Sequence, residues 1–232
     1  MKTIGILGGM SAASTQLYYR ELCAETRRRL GGLHSPELLI RSVDFAEVEA
    51  LQMNGRWAEA GAMLNQEAHA LVRGGAELLL LATNTMHKLA AEMMTGIEVP
   101  FLHIAQATAH AISQAGLRTP GLLATAFTME EPFYRAVLEQ QGLSPLIPEP
   151  QERSEVHRII YDELCQEQIL ASSQARFIEI ATALKTRGAD GLILGCTEVG
   201  LLLNQDNVPL PVFDSTLVHC HAALDLALAQ DP

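Results

Sequence analysis

The sequence predicts an α/β protein made of two similar halves, each a parallel sheet flanked by helices, with the functional site in the cleft between them. Three observations carry that expectation. Short aliphatic runs alternate with longer helical patterns, those runs are apolar on both faces, and the same strand-and-loop units recur in the same order in the second half of the chain. A strand apolar on both faces suits a parallel sheet covered by helices on either side.

Taken in order, Thr3 to Leu7, Leu78 to Leu81, Gly121 to Leu123 and Gly191 to Leu194 read as strands, being too short and too uniformly apolar for amphipathic helices. Ser14 to Leu30 reads as a helix, with Ser11 or Ser14 as its N-cap and Gly31-Gly32 as its stop. Trp57 to Arg73, ended by Gly74-Gly75, and Gln174 to Arg187, ended by Gly188, read the same way.

The internal echo is more specific than any single element. Gly75-Ala76-Glu77, the run Leu78 to Leu81 and Ala82-Thr83-Asn84-Thr85 align without gaps on Gly188-Ala189-Asp190, the run Gly191 to Leu194 and Gly195-Cys196-Thr197-Glu198. Thr3 to Gly9 with Tyr18-Tyr19-Arg20 parallels Thr119 to Thr125 with Phe133-Tyr134-Arg135, and Pro100-Phe101 parallels Pro211-Val212. The lobes are expected at residues 1–99 plus 214–232 and at residues 100–213. Ligands of open α/β sheets bind beyond the carboxyl ends of the strands, so Thr83-Asn84-Thr85 and Cys196-Thr197-Glu198 become the candidate site loops.

Composition narrows the function. The 232 residues are 48% hydrophobic, 19% charged and 5% aromatic, which fits a packed soluble chain with an aliphatic interior. A formal charge of −11 argues against nucleic acid or an anionic membrane as partner, because phosphates would be repelled. No apolar run approaches the roughly 20 residues of a bilayer span, and the N-terminus lacks the pattern of a secretion signal, so a cytoplasmic location is expected. The four cysteines, Cys23, Cys165, Cys196 and Cys220, lack paired spacing, so neither a disulfide framework nor a zinc ribbon is indicated.

Related polar loops on two halves suit a reaction that needs one group on each face of a nearly flat intermediate, such as taking a proton from one face of a carbon and returning one to the other. A thiolate is a natural base for this. Cys196 falls at a strand end where a helix dipole would favour its anion, whereas Cys23, Cys165 and Cys220 read as small core residues. The three lysines sit in no Schiff-base setting, and Gly5-x-x-Gly8-Gly9 is not a full dinucleotide fingerprint. His219-Cys220-His221 does not share one helix face and so makes a poor metal tract.

At this point Gly8-Gly9-Met10-Ser11, Ser42-Val43-Asp44-Phe45, Thr83-Asn84-Thr85-Met86-His87 and Gly195-Cys196-Thr197-Glu198 together resemble the aspartate/glutamate racemase family over essentially the whole chain. The order and spacing are closest to the aspartate racemase branch, with Gly9-Met10-Ser11 and Glu198 where peptidoglycan glutamate racemases usually carry Asp-Ser and His. The resemblance implies a cofactor-independent, metal-free racemisation of a small acidic amino acid by a homodimer, using one cysteine from each half. Thr83 stands where the first of those cysteines belongs, so it implies an L-specific type in which Cys196 takes the α-proton of the L-enantiomer and Thr83 is the opposing donor.

Stabilising the carbanion needs hydrogen-bond donors near the α-carboxylate, for which Asn84, Thr85, Thr125 and Thr197 are the candidates. The family correspondence adds Met10, Ser11 and Gln52 toward the substrate side chain, Glu198 toward Cys196 or the ammonium, and His87 as a residue that orients its loop. Arg41 and Arg56 flank the Gln52 region in sequence but fall in no aligned motif. Two other classes stay open: a single-cysteine decarboxylase or isomerase of small dicarboxylates, and a two-lobed amino-acid binding protein.

Overall fold

The computed structural model describes residues 1–166 and 168–229, and they divide into two compact α/β units. The first comprises Met1–His103 with the chain from His219 onward, and the second comprises Ile104–Val218.

The first unit holds a parallel sheet in the order β2 (Leu38–Ser42), β1 (Ile4–Gly8), β3 (Leu78–Leu81), interleaved with α1 (Ala12–Leu30), α2 (Phe45–Met53) and α3 (Trp57–Arg73). The short helix α4 (Ala90–Met93) follows a 3₁₀ turn at Thr85–Leu89. Strand residues alternate between two apolar layers. Ile4, Ile6, Leu78 and Leu80 pack with Tyr18, Leu22, Cys220 and Leu224 on one face. Leu7, Leu79 and Leu81 pack with Val48, Leu64 and Leu71 on the other. Each fully buried Leu or Ile contributes about 1.5–3 kcal/mol, so the runs apolar on both faces are the unit's main cohesive element.

The second unit holds α5 (Ile104–Gln114), β4 (Pro120–Leu123), α6 (Ala126–Glu130), α7 (Pro132–Gln140), α8 (Pro150–Asp162), α9 (Ala171–Thr186), β5 (Gly191–Leu194) and β6 (Val212–Asp214), the strands running parallel in the order β4, β5, β6. A last helix, α10 (Ser215–Leu228), starts in this unit and is counted with the first from His219. Leu122, Leu123, Leu192, Ile193 and Leu194 share one core with Tyr134, Ile160 and Phe177.

The repeat read from the sequence is a structural repeat. Ile4 is paired with Leu78 in the first sheet and Pro120 with Gly191 in the second, the equivalent positions of the two halves. Leu79 bridges Phe101 in parallel, just as Leu192 pairs with Val212. Strand β2, whose apolar run is only Leu38-Leu39-Ile40, is not among the strands read from the sequence; it is an edge strand, with Ile40, Arg41 and Ser42 exposed. Ser11, rather than Ser14, caps α1, its side chain accepting the Ser14 N–H. Among the described residues no helix is long and apolar enough to cross a membrane.

Candidate active site

Parallel strands bring all their carboxyl ends to one edge of a sheet, so each unit gathers its strand-end loops there. In the first unit that edge carries Gly9-Met10-Ser11 after β1 and Thr83-Asn84-Thr85 after β3. Gly9 adopts φ +94°, and a Cβ there would strike the backbone of Val43, which itself donates its N–H to the Gly8 carbonyl at 3.0 Å. The Thr15 hydroxyl oxygen accepts the Gly9 N–H at 2.7 Å and the Ser14 hydroxyl donates to the Ala82 carbonyl at 2.9 Å, so α1 fixes both loops. Met10, Asn84 and Thr85 are buried, and Ser11 and Thr83 half-buried. Gln52 is buried on α2, one helical turn beyond the core residue Val48.

His87 fixes the Thr83 loop. Its Nδ1 lies 2.7 Å from the Thr83 carbonyl, which can only accept, so Nδ1 carries the proton. Burial pushes the imidazole well below its usual range, with His103 and His219 adding to the effect, and the ring stays neutral. The His103 ring stands 4.5 Å away and the His219 ring 6.0 Å. His219 places Nδ1 2.7 Å from the Tyr18 hydroxyl and Nε2 2.9 Å from the Leu102 carbonyl, while His221 pairs with Glu21. The two histidines of the His-Cys-His tract therefore have separate partners. Arg41 is paired with Glu67, and Arg56 with Glu59.

In the second unit the equivalent edge carries Thr125 after β4 and Gly195-Cys196-Thr197-Glu198 after β5. Thr125 caps α6, and the adjacent Ala126 N–H donates to His157 Nδ1 at 3.2 Å. The Cys196 backbone is anchored from two sides: the Gly195 N–H donates to the Leu123 carbonyl at 2.8 Å, and the Ser215 hydroxyl donates to the Leu194 carbonyl at 2.8 Å. Gly195 permits a close crossing, since a Cβ there would lie 2.8 Å from Leu122 Cδ1 and 2.9 Å from Ala124 Cβ.

The Cys196 thiol donates to Glu198 Oε2 at 3.0 Å, and the Thr197 hydroxyl donates to the same oxygen at 2.5 Å. Glu198 is 6% exposed. Burial raises the thiol well above its usual range, and the Glu198 carboxylate raises it further. The segment after Cys196 is a 3₁₀ turn, Thr197–Leu201, and the nearer charge is a carboxylate. Cys165 packs against the second unit's core, as expected, and its thiol is pushed up to about 12 by burial and by Glu198.

Sequence reasoning missed Ser215 and His157, and it did not foresee that Cys165 sits in the turn after α8. Asp214-Ser215-Thr216 is a readable signal, because Asp214 Oδ1 caps α10 by accepting the Thr216 N–H at 2.9 Å. His157 and Cys165 have no sequence signal, since both reach the site loops only through packing of α8 and the turn that follows it.

Two α/β units, each with a three-stranded parallel sheet flanked by helices, match the two-domain racemase fold. The chain belongs to the Asp/Glu/hydantoin racemase family, whose model matches residues 7–223. It is similar to a Yersinia pestis protein whose crystal structure is assigned as a candidate Asp/Glu racemase, at 43% identity over 99% of this chain and all of that one, with a TM-score of 0.93. It is also similar to an aspartate racemase homologue from Pyrococcus horikoshii OT3, at 35% identity over 99% of this chain and all of that one, with a TM-score of 0.87. The broad specificity amino-acid racemase RacX of Bacillus subtilis is 22% identical over 97% of this chain and 98% of its own length.

Proposed function

We propose that the protein is a cofactor-independent amino-acid racemase that interconverts the enantiomers of aspartate or glutamate, with Cys196 as the base on the L side and Thr83 opposite. The observation that carries this reading is the thiol of Cys196 held on a buried carboxylate at the end of β5, in a chain whose repeat puts Thr83 at the equivalent position after β3.

The chemistry follows from those two groups. As a thiolate, Cys196 removes the α-proton of the L-enantiomer, and the electron pair left on the α-carbon spreads into the α-carboxylate. Donors of the Asn84, Thr85, Thr125 and Thr197 type offset that charge. The Thr83 hydroxyl then delivers its proton to the other face and is reprotonated from water. A hydroxyl is a far weaker base than a thiolate, so proton removal from the D-enantiomer is the harder half-reaction. Because enantiomers are equal in free energy, detailed balance requires equal kcat/KM in the two directions, so slower turnover from the D side is matched by a proportionally lower KM for the D-enantiomer.

Incubating each enantiomer of aspartate and glutamate with the wild type and with Cys196→Ala, followed by chiral chromatography, tests the reading. Inversion of at least one of them by the wild type and none by Cys196→Ala is expected. Equal inversion by both proteins, or inversion of neither amino acid by the wild type, would overturn it.

A further inference from the structure

Strand β2 ends the sheet of the first unit with its outer edge open. Its neighbour is β1, and among the described residues no strand or bridge lies beyond it. The Ile4 N–H donates to the Glu37 carbonyl at 2.9 Å, and the Val43 N–H donates to the Gly8 carbonyl at 3.0 Å. Backbone groups alternate sides along a strand, so residues 37, 39, 41 and 43 turn theirs toward β1, while Leu38, Ile40 and Ser42 turn theirs off the edge.

Such an edge is a template for another strand, and monomeric proteins commonly blunt it with charge, proline or a bulge. The run Leu38-Leu39-Ile40 carries none of these, and Ile40 is 41% exposed. Opposite charges bracket the run, Glu37 before it and Arg41 after it, both exposed. Read backwards, Glu37-Leu38-Leu39-Ile40-Arg41 is therefore complementary to itself.

We propose that β2 is the docking edge for a second copy of this chain, the two strands pairing antiparallel about a two-fold axis at Leu39. Leu38 then faces Ile40 of the second copy, Leu39 faces its own counterpart, and Glu37 faces Arg41 of the second copy at each end. The backbone groups that Leu38 and Ile40 turn off the edge become the hydrogen-bonded pairs, and the two three-stranded sheets join into one. Leu38 packs on the Tyr18 and Leu22 layer, and Ile40, two residues on and on the same face, gains cover from Leu38 of the second copy. Both charged residues keep their own contacts. Glu67 takes Nε and Nη2 of Arg41, which leaves Nη1 for a second carboxylate, and Glu37 accepts the Thr3 hydroxyl through one oxygen.

Charge complementarity selects both the partner and the register. Parallel pairing in register would set Glu37 against Glu37 and Arg41 against Arg41, which is repulsive. An antiparallel axis at Ile40 would leave Glu37 against Val43 and Arg41 against Leu39. The axis at Leu39 matches acid with base and apolar with apolar along the whole run. This assembly does not depend on the racemase reading.

Sedimentation of the full chain over a range of concentrations tests the proposal. The wild type should sediment at twice the chain mass. Ile40→Pro removes the outward N–H in each copy and leaves the bonds to β1, so it should weaken dimerisation by about 5- to 150-fold. Glu37→Arg should weaken it by roughly tenfold, and adding Arg41→Glu should restore most of the loss. Mild oxidation reads the register, with the wild type as the blank for the native cysteines. Leu39→Cys should crosslink two copies, because facing residues of a non-hydrogen-bonded pair lie about 4.5 Å apart at Cα, and Ile40→Cys should crosslink far less. A wild type that stays monomeric at every concentration leaves the edge to a different chain and overturns the pairing. A dimer equally tight in folded Ile40→Pro, or crosslinking through Ile40→Cys in place of Leu39→Cys, would overturn it too. Should Ile40→Pro fail to fold by circular dichroism, the wild-type mass and the two cysteine variants still decide.

Discussion

Gly195→Ala places one methyl group where the chain leaving β5 lies close against the end of β4, directly before Cys196. The new Cβ would lie 2.8 Å from Leu122 Cδ1, 2.9 Å from Ala124 Cβ and 3.4 Å from the Leu123 carbonyl oxygen. Leu122 can turn its side chain, but the Ala124 methyl cannot move without its backbone. That backbone is tied to Gly195 through the 2.8 Å bond to the Leu123 carbonyl. Forcing a methyl group into such a contact costs about 1–3 kcal/mol. For a chain of this size that corresponds to a melting temperature roughly 2–12 °C lower. The displacement falls on Cys196, and about 1 Å of misplacement at a reacting group costs on the order of a hundredfold in rate. Circular-dichroism melting and racemisation at a temperature below both transitions measure the two effects. Adding Ala124→Gly removes the opposing methyl, so the double variant should recover about 0.5 kcal/mol or more beyond additivity. A single variant that melts and turns over like the wild type would refute the close-crossing account.

Gly9→Ala should be damaging for a second reason, because φ +94° strains any side chain and the Cβ meets the Val43 backbone. A loss of at least about 1–3 kcal/mol in urea unfolding is expected. Glu25 sets an acid limit: burial pushes its carboxyl up, but hydrogen bonds from Arg28 and Arg29 outweigh that and hold it at about 2, against 4.5 in the unfolded chain. Its stabilisation is therefore fully present above pH 4.5 and lost as pH falls toward 2. Wild type should exceed Glu25→Gln in urea stability at pH 7 by a margin that narrows across that window, whereas a constant margin would contradict the pairing. Thr83→Cys should raise the rate from the D-enantiomer by supplying the stronger base, read by chiral chromatography; an equal or lower rate would count against its assigned position.

The architecture was legible because the strongest signals were local. Leu78–Leu81 and Gly191–Leu194 are buried on both faces, and their glycine-rich approaches repeat, so both strands and the internal echo could be read directly. Strand β2 was not read, since its apolar run is only Leu38-Leu39-Ile40 and it gives way to the exposed polar pair Arg41-Ser42 of an edge strand. The site was legible as residue types at strand ends. The Cys196–Glu198 contact was not, because it depends on Glu198 folding back onto the sulfur. His157 and Cys165 were out of reach for a similar reason: their places depend on how α8 and its following turn pack, which no short motif records.

The central claim is that Cys196 and Thr83 serve opposite faces of one α-carbon, and initial-rate proton exchange in D₂O tests it most directly. With L-aspartate or L-glutamate, the wild type should place deuterium at the α-carbon of the D product. Thr83→Ala should still wash deuterium into the recovered L substrate while inversion falls away, and Cys196→Ala should abolish both. Inversion that persists in Thr83→Ala at the wild-type rate, or exchange that survives in Cys196→Ala, would contradict the two-faced assignment.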